Sequence, residues 1–424
     1  MRWKNLLGVL LATSMVAGSL VGCGSANSAL GGGSADAAEK DTIKIGSLED
    51  WTGDYATIGI QKYHAAELAV EELNKNGGLL GKEVELVAYD CQSDTTKYQE
   101  FCKKLVQDDQ VDVIMGCMSS ACREAIRPYI EENNALLFYN NQYEGGVASH
   151  NVFCTGTIPE QNCEVLVKEL LDQGNTSFYT IAADYNFGQI MTQWVDKTVV
   201  ENGGVVAGEE FIPLGTSQFE STIQKIKDAD PDVLVCELVG TAQASFYEQF
   251  LKSGIEDITM ASTVQIVQSY DHKTITAPAL GNMYVTGGFV EEMADYSDAA
   301  KEFVDMWRAK YPEEGGVYME GEIEYTGIML WAKAVEKAGT TEVEAVIDAL
   351  ESGEISVESA AGTVTIDGAT HHAIKDIFLI LCDENHELHV ENEIDAVEPY
   401  WLRDELKIDL RVESPNKQYT PIDE

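Results

Sequence analysis

An α/β fold of two doubly wound, mostly parallel sheets, joined by a multi-strand hinge, is what this 424-residue sequence predicts. Three observations carry it. Short, nearly continuous apolar runs alternate with amphipathic stretches of helical period. The alternation starts a second time near the middle of the chain. Strands apolar along their whole length, each followed by a helix, belong to parallel sheets covered on both faces.

The elements follow in order. Thr42–Leu48 reads as a strand and Ile58–Gly78 as a helix, with apolar residues at Ala65, Leu68, Ala69 and Leu73 and a stop at Gly77. Residues 84–90 form a strand, Thr95–Val106 a helix, 111–116 a strand, Ser119–Glu131 a helix and 135–139 a strand. The second round opens with a strand at 177–184 and a helix at Gly188–Asn202. A strand at 204–212, a helix at Gln218–Lys227, a strand at 231–238 and a helix at Thr241–Lys252 complete it. Asn282–Val290 reads as a further strand. Helices at Asp298–Lys310 and Met319–Lys337 follow, then a strand-rich tail with runs at 362–367 and 376–383.

Two sheets of this kind hold a ligand outside the carboxyl ends of their strands. The candidate cleft residues are therefore Asp50-Trp51, Cys117–Ser120, Tyr139–Gln142, Asp184-Tyr185, Glu237–Thr241 and Gly287–Phe289.

The chain begins as an exported one does. Arg2 and Lys4 precede an apolar run from Leu6 to Val21, and Leu20-Val21-Gly22-Cys23 ends it. The run is too short and interrupted for a spanning helix, which takes about 20 apolar residues. A cysteine at the cut site resembles the lipobox of bacterial lipoproteins. That resemblance implies a signal peptide over 1–22, a lipid on Cys23 and a flexible tether over 23–40. The expected location is extracytoplasmic, anchored to the cell membrane by the lipid.

Composition excludes more than it names. The 28 Lys+Arg stand against 72 Asp+Glu, a formal charge of −44, so the surface repels nucleic acid and anionic lipid headgroups. Eight cysteines beyond Cys23 show no C-x-x-C spacing, and several sit in apolar runs as small hydrophobes. H-E-x-x-H, G-x-S-x-G and G-x-x-x-x-G-K-[ST] are all lacking, so no enzyme is expected, nor any cofactor or metal. His371-His372, in the polar string "DGATHHAIKD", reads as a solvated turn.

Gly116–Gly156 carries Gly116-Cys117, Ser120, Arg123, Tyr139 and Tyr143-Glu144-Gly145. Further along come "ADYNFG" (183–188), "FIPLGTSQF" (211–219), "VGT" (239–241), "EIEYTGIMLW" (322–331) and the histidine pair. In this order they resemble the type I periplasmic-binding proteins, in particular the group for urea and short-chain amides. The resemblance implies a two-lobed, hinge-closing solute trap serving an ABC permease. The first lobe would span 41–157 with about 288–340, and the second 158–287 with about 341–424. Ser120, Tyr139, Asn141 and Tyr185 would hold the solute, with Met118, Asp184, Thr241 and Phe289 around them. Ser120, at a helix start, would donate to the solute carbonyl. The sequence departs from the group at Met118, at Asn140 and at Asn186-Phe187-Gly188. The alternative is an amino acid, whose ammonium group would need an acid such as Asp184 or Glu237.

Overall fold

The computed structural model describes residues 42–264, 266–267 and 269–422. The signal peptide, Cys23 and the tether lie outside the described residues.

The first round of alternation builds β1 (Thr42–Glu49), α1 (Ala56–Lys75), β2 (Glu83–Asp90), α2 (Thr95–Lys104), β3 (Val113–Gly116), α3 (Ser120–Glu132), β4 (Leu137–Tyr139), β5 (Val147–Ala148) and β6 (Val152–Cys154). The strands stand in the order β2-β1-β3-β4-β6, all parallel. Ile45 of β1 is level with Leu86 on one side and Val113 on the other. Local chemistry sets the ends. Asp94 caps α2 by accepting from Thr96 N at 2.8 Å. After α1 the chain turns at Gly78, φ +78°, where a Cβ would stand 1.9 Å from Lys82 O.

The second round builds α4 (Cys163–Asp172), β7 (Ser177–Ala183), α5 (Asn186–Glu201), β8 (Val205–Ile212), α6 (Glu220–Ala229), β9 (Val233–Glu237), α7 (Thr241–Lys252), β10 (Thr259–Ser262) and β11 (Met283–Gly287). Its order is β8-β7-β9-β10-β11, again parallel. The tail adds α8 (Asp298–Lys310), α9 (Met319–Ala338), α10 (Val343–Glu351), β12 (Ser356–Ser359), β13 (Gly362–Asp367), β14 (His372–Cys382), β15 (Leu388–Val397) and β16 (Lys417–Gln418).

β14 joins the halves. It meets β6 at His372 opposite Cys154 and runs antiparallel to β11 from Phe378 to Cys382. Each half-sheet is covered on both faces. In the first, α1, α9 and α10 bury Ala66, Trp331 and Ile347 on one face, while α2 and α3 bury Tyr98 and Ile126 on the other. In the second, α4 and α5 bury Leu166 and Trp194, while α6 and α7 bury Ile223 and Phe246.

The tail is shared differently from the expected boundaries. α10, β12 and β13 pack Leu350, Val357 and Val364 into the first half, where the sequence reading set everything after about 341 with the second. α8 packs against α1 and β12 of the first half, with the Trp307 ring 6.3 Å from that of His64 and the Phe303 ring 5.2 Å from that of Tyr325. These are long-range choices of packing partner that local periodicity does not encode. The eight cysteines from Cys91 to Cys382 are buried and free. Burial pushes the thiols of Cys154 and Cys236 up to about 12. Among the described residues no helix is long and apolar enough to cross a membrane.

Candidate functional site

A parallel βα unit delivers the start of each helix to the carboxyl edge of its sheet. Here the two edges face one another across a cavity of about 260 Å³. The residues that open α1, α3, α5 and α7 (Tyr55, Ser119, Tyr185 and Gly240) all line it. A helix leaves its first N–H groups without partners inside the helix. Ser119 caps its own helix by accepting from Cys122 N at 3.3 Å, whereas Tyr55, Tyr185 and Gly240 make no side-chain cap bond. Four positive helix ends on one cavity favour an anionic group there. α5 comes close to its strand because Gly188 has no side chain; a Cβ would lie 2.1 Å from Ala183 O.

The wall at α3 is a buried hydrogen-bonded network. Ser120 Oγ donates to Glu144 Oε2 at 2.6 Å. Glu144 Oε1 accepts from Arg123 at 3.3 Å and from Gln418 Nε2 at 2.6 Å. The Arg123 guanidinium lies 4.7 Å from the centre of the Tyr139 ring and 4.5 Å from that of Tyr143, the favourable side of two aromatic quadrupoles. Ser120 therefore spends its hydrogen on Glu144 and turns lone pairs to the cavity. The expectation that it donates to a solute carbonyl is corrected on this point, because the carboxylate can only accept.

The neighbouring amides lean the same way. Asn141 Nδ2 donates to Met118 O at 2.8 Å and Gln142 O at 3.1 Å. Asn141 Oδ1 and Gln142 Oε1 are buried without a hydrogen-bond partner among the described residues. A buried polar atom without a partner costs about 1–3 kcal/mol, so both oxygens suit a ligand that brings N–H groups. The lining also carries apolar side chains: Ile58, Met118, Phe187, Val239 and Val264.

Of the sequence-derived candidates, Ser120, Tyr139, Asn141, Tyr185 and Met118 line the cavity. Burial pushes the Tyr139 and Tyr185 hydroxyls well above the usual tyrosine range, so both stay protonated donors. Asp184 and Phe289 stand elsewhere. Asp184 is exposed and accepts from Gln189 Nε2 at 2.9 Å. Phe289 is core, edge-on to Phe303 with ring centres 5.9 Å apart. Thr241 is the first residue of α7, directly after Gly240. Glu237 is also off the cavity, taken up by Thr263 N at 3.1 Å and Thr263 Oγ1 at 2.7 Å, and burial pushes it up to about 7. Neither expected acid thus faces a solute; Asp54, beside the start of α1, does.

Reading by strand ends also reached Ser119, Gln142, Val239 and Gly240. It missed Asp54, Tyr55, Thr57, Ile58, Phe187, Gln243 and Val264. The missed signals were the start of α1, which the reading placed at Ile58, and β10, whose four residues carry no periodicity. Asn140, which departs from the resembled group, ties β4 to α9 through Glu324 Oε2 at 3.1 Å. His371 and His372 are buried, against the expected solvated turn. His372 bonds Thr370 O and the Tyr143 hydroxyl, and burial lowers it to about 3.

A family model described as periplasmic binding protein matches residues 42–387. The chain belongs to the periplasmic binding protein family. It is a solute-binding protein of the extracytoplasmic kind and not an enzyme. Among curated relatives, the leucine-, isoleucine-, valine-, threonine-, and alanine-binding protein of Pseudomonas aeruginosa is 24% identical over 331 residues, covering 77% of this chain and 86% of its own. The Leu/Ile/Val-binding protein homolog 6 of Brucella melitensis is 22% identical over 353 residues, covering 81% and 88%. In structure, a solute-binding protein of an ABC transporter from Rhodopseudomonas palustris, in complex with 3,4-dihydroxybenzoic acid, superimposes with a TM-score of 0.75 at 21% identity, over 85% of this chain and 99% of that one. A leucine-binding protein from Thermotoga maritima gives 0.73 at 20%, over 83% and 99%. This likeness shows the fold, the type I periplasmic-binding architecture expected from sequence.

Proposed function

We propose that this periplasmic binding protein captures an amino acid with an apolar side chain, of the branched-chain kind, and passes it to an ABC permease. The carrying observation is the composition of the cavity between the two sheet edges. Helix ends would receive a carboxylate. Ser120 Oγ, Asn141 Oδ1 and Gln142 Oε1 would accept from an ammonium group, with Asp54 nearby. Ile58, Met118, Phe187, Val239 and Val264 would cover an aliphatic side chain, a burial that contributes about 1.5–3 kcal/mol.

Urea, the ligand of the resembled group, has four non-hydrogen atoms and no apolar surface to offer this wall. At about 30 Å³ per water-sized group, the cavity takes about nine. The relatives' names also favour the amino acid. The two half-sheets would act as lobes that close over the solute, bending at β14 and the other crossings between them; solute then shifts the balance toward the closed form. A lipid on Cys23 would hold the trap near its permease.

Calorimetry with leucine, valine, urea, acetamide and 4-hydroxybenzoate tests the reading. Binding of leucine or valine, with no heat from urea, is the expected result. Ser120→Ala should weaken binding about 10–100-fold, the loss of one hydrogen bond to a charged group. Binding of urea but not leucine would overturn the amino-acid reading.

A further inference from the structure

Away from the cleft, three segments bring two imidazoles and two carboxylates together. His150 lies in the turn between β5 and β6, His371 in the turn between β13 and β14, and Glu344 and Glu351 lie seven residues apart on one face of α10. His371 Nε2 is 2.9 Å from Glu351 Oε1, and His150 Nδ1 is 3.9 Å from the same oxygen. The ligand atoms of His150, Glu351 and His371 all lie within 4.8 Å of one another. The other nitrogen of His150 faces Glu344 Oε2 at 3.1 Å.

We propose that His150, Glu351 and His371 form a binding site for a divalent transition metal of the zinc class, with Glu344 orienting His150. Two histidines and one glutamate with an open fourth position is a zinc donor set. Bonds of 2.0–2.2 Å put tetrahedral ligand atoms about 3.3–3.5 Å apart, and the separations of 2.9 and 3.9 Å bracket that distance. Glu344 completes the arrangement in which a ligating imidazole gives its second N–H to a carboxylate.

The donors are preset by packing. His371 is fully buried and stacked on Phe153, ring centres 4.1 Å apart at 9°. Burial holds it below the usual histidine range, so it is neutral and ready to ligate at neutral pH. Glu351 is 13% exposed and His150 29%, which leaves one side open to solvent. Among the described residues neither glutamate is paired with lysine or arginine; nearby Arg411 is engaged with Asp409 at 2.6 and 2.7 Å. A dication would add positive charge beside the two carboxylates, beyond the field of Arg411, and fasten α10 to two turns of the first half-sheet.

The test uses the full-length protein without a histidine tag, stripped with chelator and titrated with zinc chloride by calorimetry. Cobalt absorption serves as a second readout. One equivalent should bind and raise the melting temperature, since a ligand of the native state stabilises by mass action. His150→Ala and Glu351→Gln should each weaken zinc binding at least about 100-fold, and Glu344→Gln about 10–100-fold. Metal-free melting curves establish that each variant folds. His389→Ala, in the exposed Asp383, Glu387 and His389 group, should bind as wild type does. No heat from zinc, equal binding by wild type and His150→Ala, or loss through His389→Ala would overturn the site. Solute binding in the cleft involves none of these residues and reads out separately.

Discussion

Glu144→Ala is expected to lose about 3–5 kcal/mol of folding stability and to weaken solute binding by no more than Ser120→Ala does. Glu144 is fully buried, as is its partner Arg123. Removing one member of a buried ion pair leaves the other charge uncompensated, at a cost of about 3–5 kcal/mol. Arg123 would keep Glu124 at 3.0 Å, but its Nη1 already has no partner among the described residues. The rings of Tyr139 and Tyr143 against it cannot replace a carboxylate. Three links would fail together: the bond from Ser120 Oγ, the one from Arg123, and the one from Gln418 Nε2, which would keep its bond to Gly145 O at 3.0 Å. Binding would weaken because a freed Ser120 hydroxyl is no longer held with its lone pairs toward the cavity. Glu144→Gln keeps the shape and one acceptor and loses the charge, so it should fall between wild type and alanine. Urea unfolding and calorimetry on the three proteins decide the matter. An alanine variant within about 1 kcal/mol of wild type would mean that the network does not hold the wall.

The sequence reading reached the fold through the strands, because strands buried on both faces are apolar along their length. It reached one side of the cavity through the polar residues that end those strands. Ser120, Tyr139 and Asn141 were legible since β3 and β4 lie inside the sheet, where the strand-end rule applies directly. Phe289 follows a strand too, but β11 pairs antiparallel with β14, so its end feeds a crossing between the halves and Phe289 turns into the core. Asp184 is off the cavity because the backbone turns there into α5, and Tyr185 is the residue presented. His371 was illegible for another reason. Its neighbours in sequence are polar, and its burial comes from α10 and Phe153, far away in the chain. The direction of the Ser120 hydrogen needed Glu144 in place, a contact across 24 residues.

Raising the pH from about 7.5 to 10.5 should stabilise the wild type by about 3 kcal/mol relative to Lys375→Met. Lys375 is a buried residue of β14, the strand that joins the half-sheets, and its Nζ donates to Thr155 O at 2.6 Å. Burial lowers its ammonium from the ordinary 10.5 to about 8, with buried Glu322 only partly offsetting that. The unfolded chain keeps the proton up to about 10.5, while the native protein releases it near 8. Between those values the unfolded state binds more protons, so stability rises with pH. The contribution is complete above 10.5 and is lost as pH falls through 8. At about 1.36 kcal/mol for each unit, the gap corresponds to about 3 kcal/mol. Other buried groups titrate in the same range, so the informative quantity is the difference between wild type and Lys375→Met, from urea unfolding at each pH. A difference flat with pH would show that Lys375 keeps an ordinary affinity for its proton. A rising one would show that the chain tolerates a costly cation at the junction of its halves. The reason is then geometric. Lys375 binds the first residue after β6, and Gln161, further along the same crossing, donates to Ala373 O of β14 at 2.7 Å. These bonds clamp two crossings into one strap, so the strap would bend as a unit when the halves move.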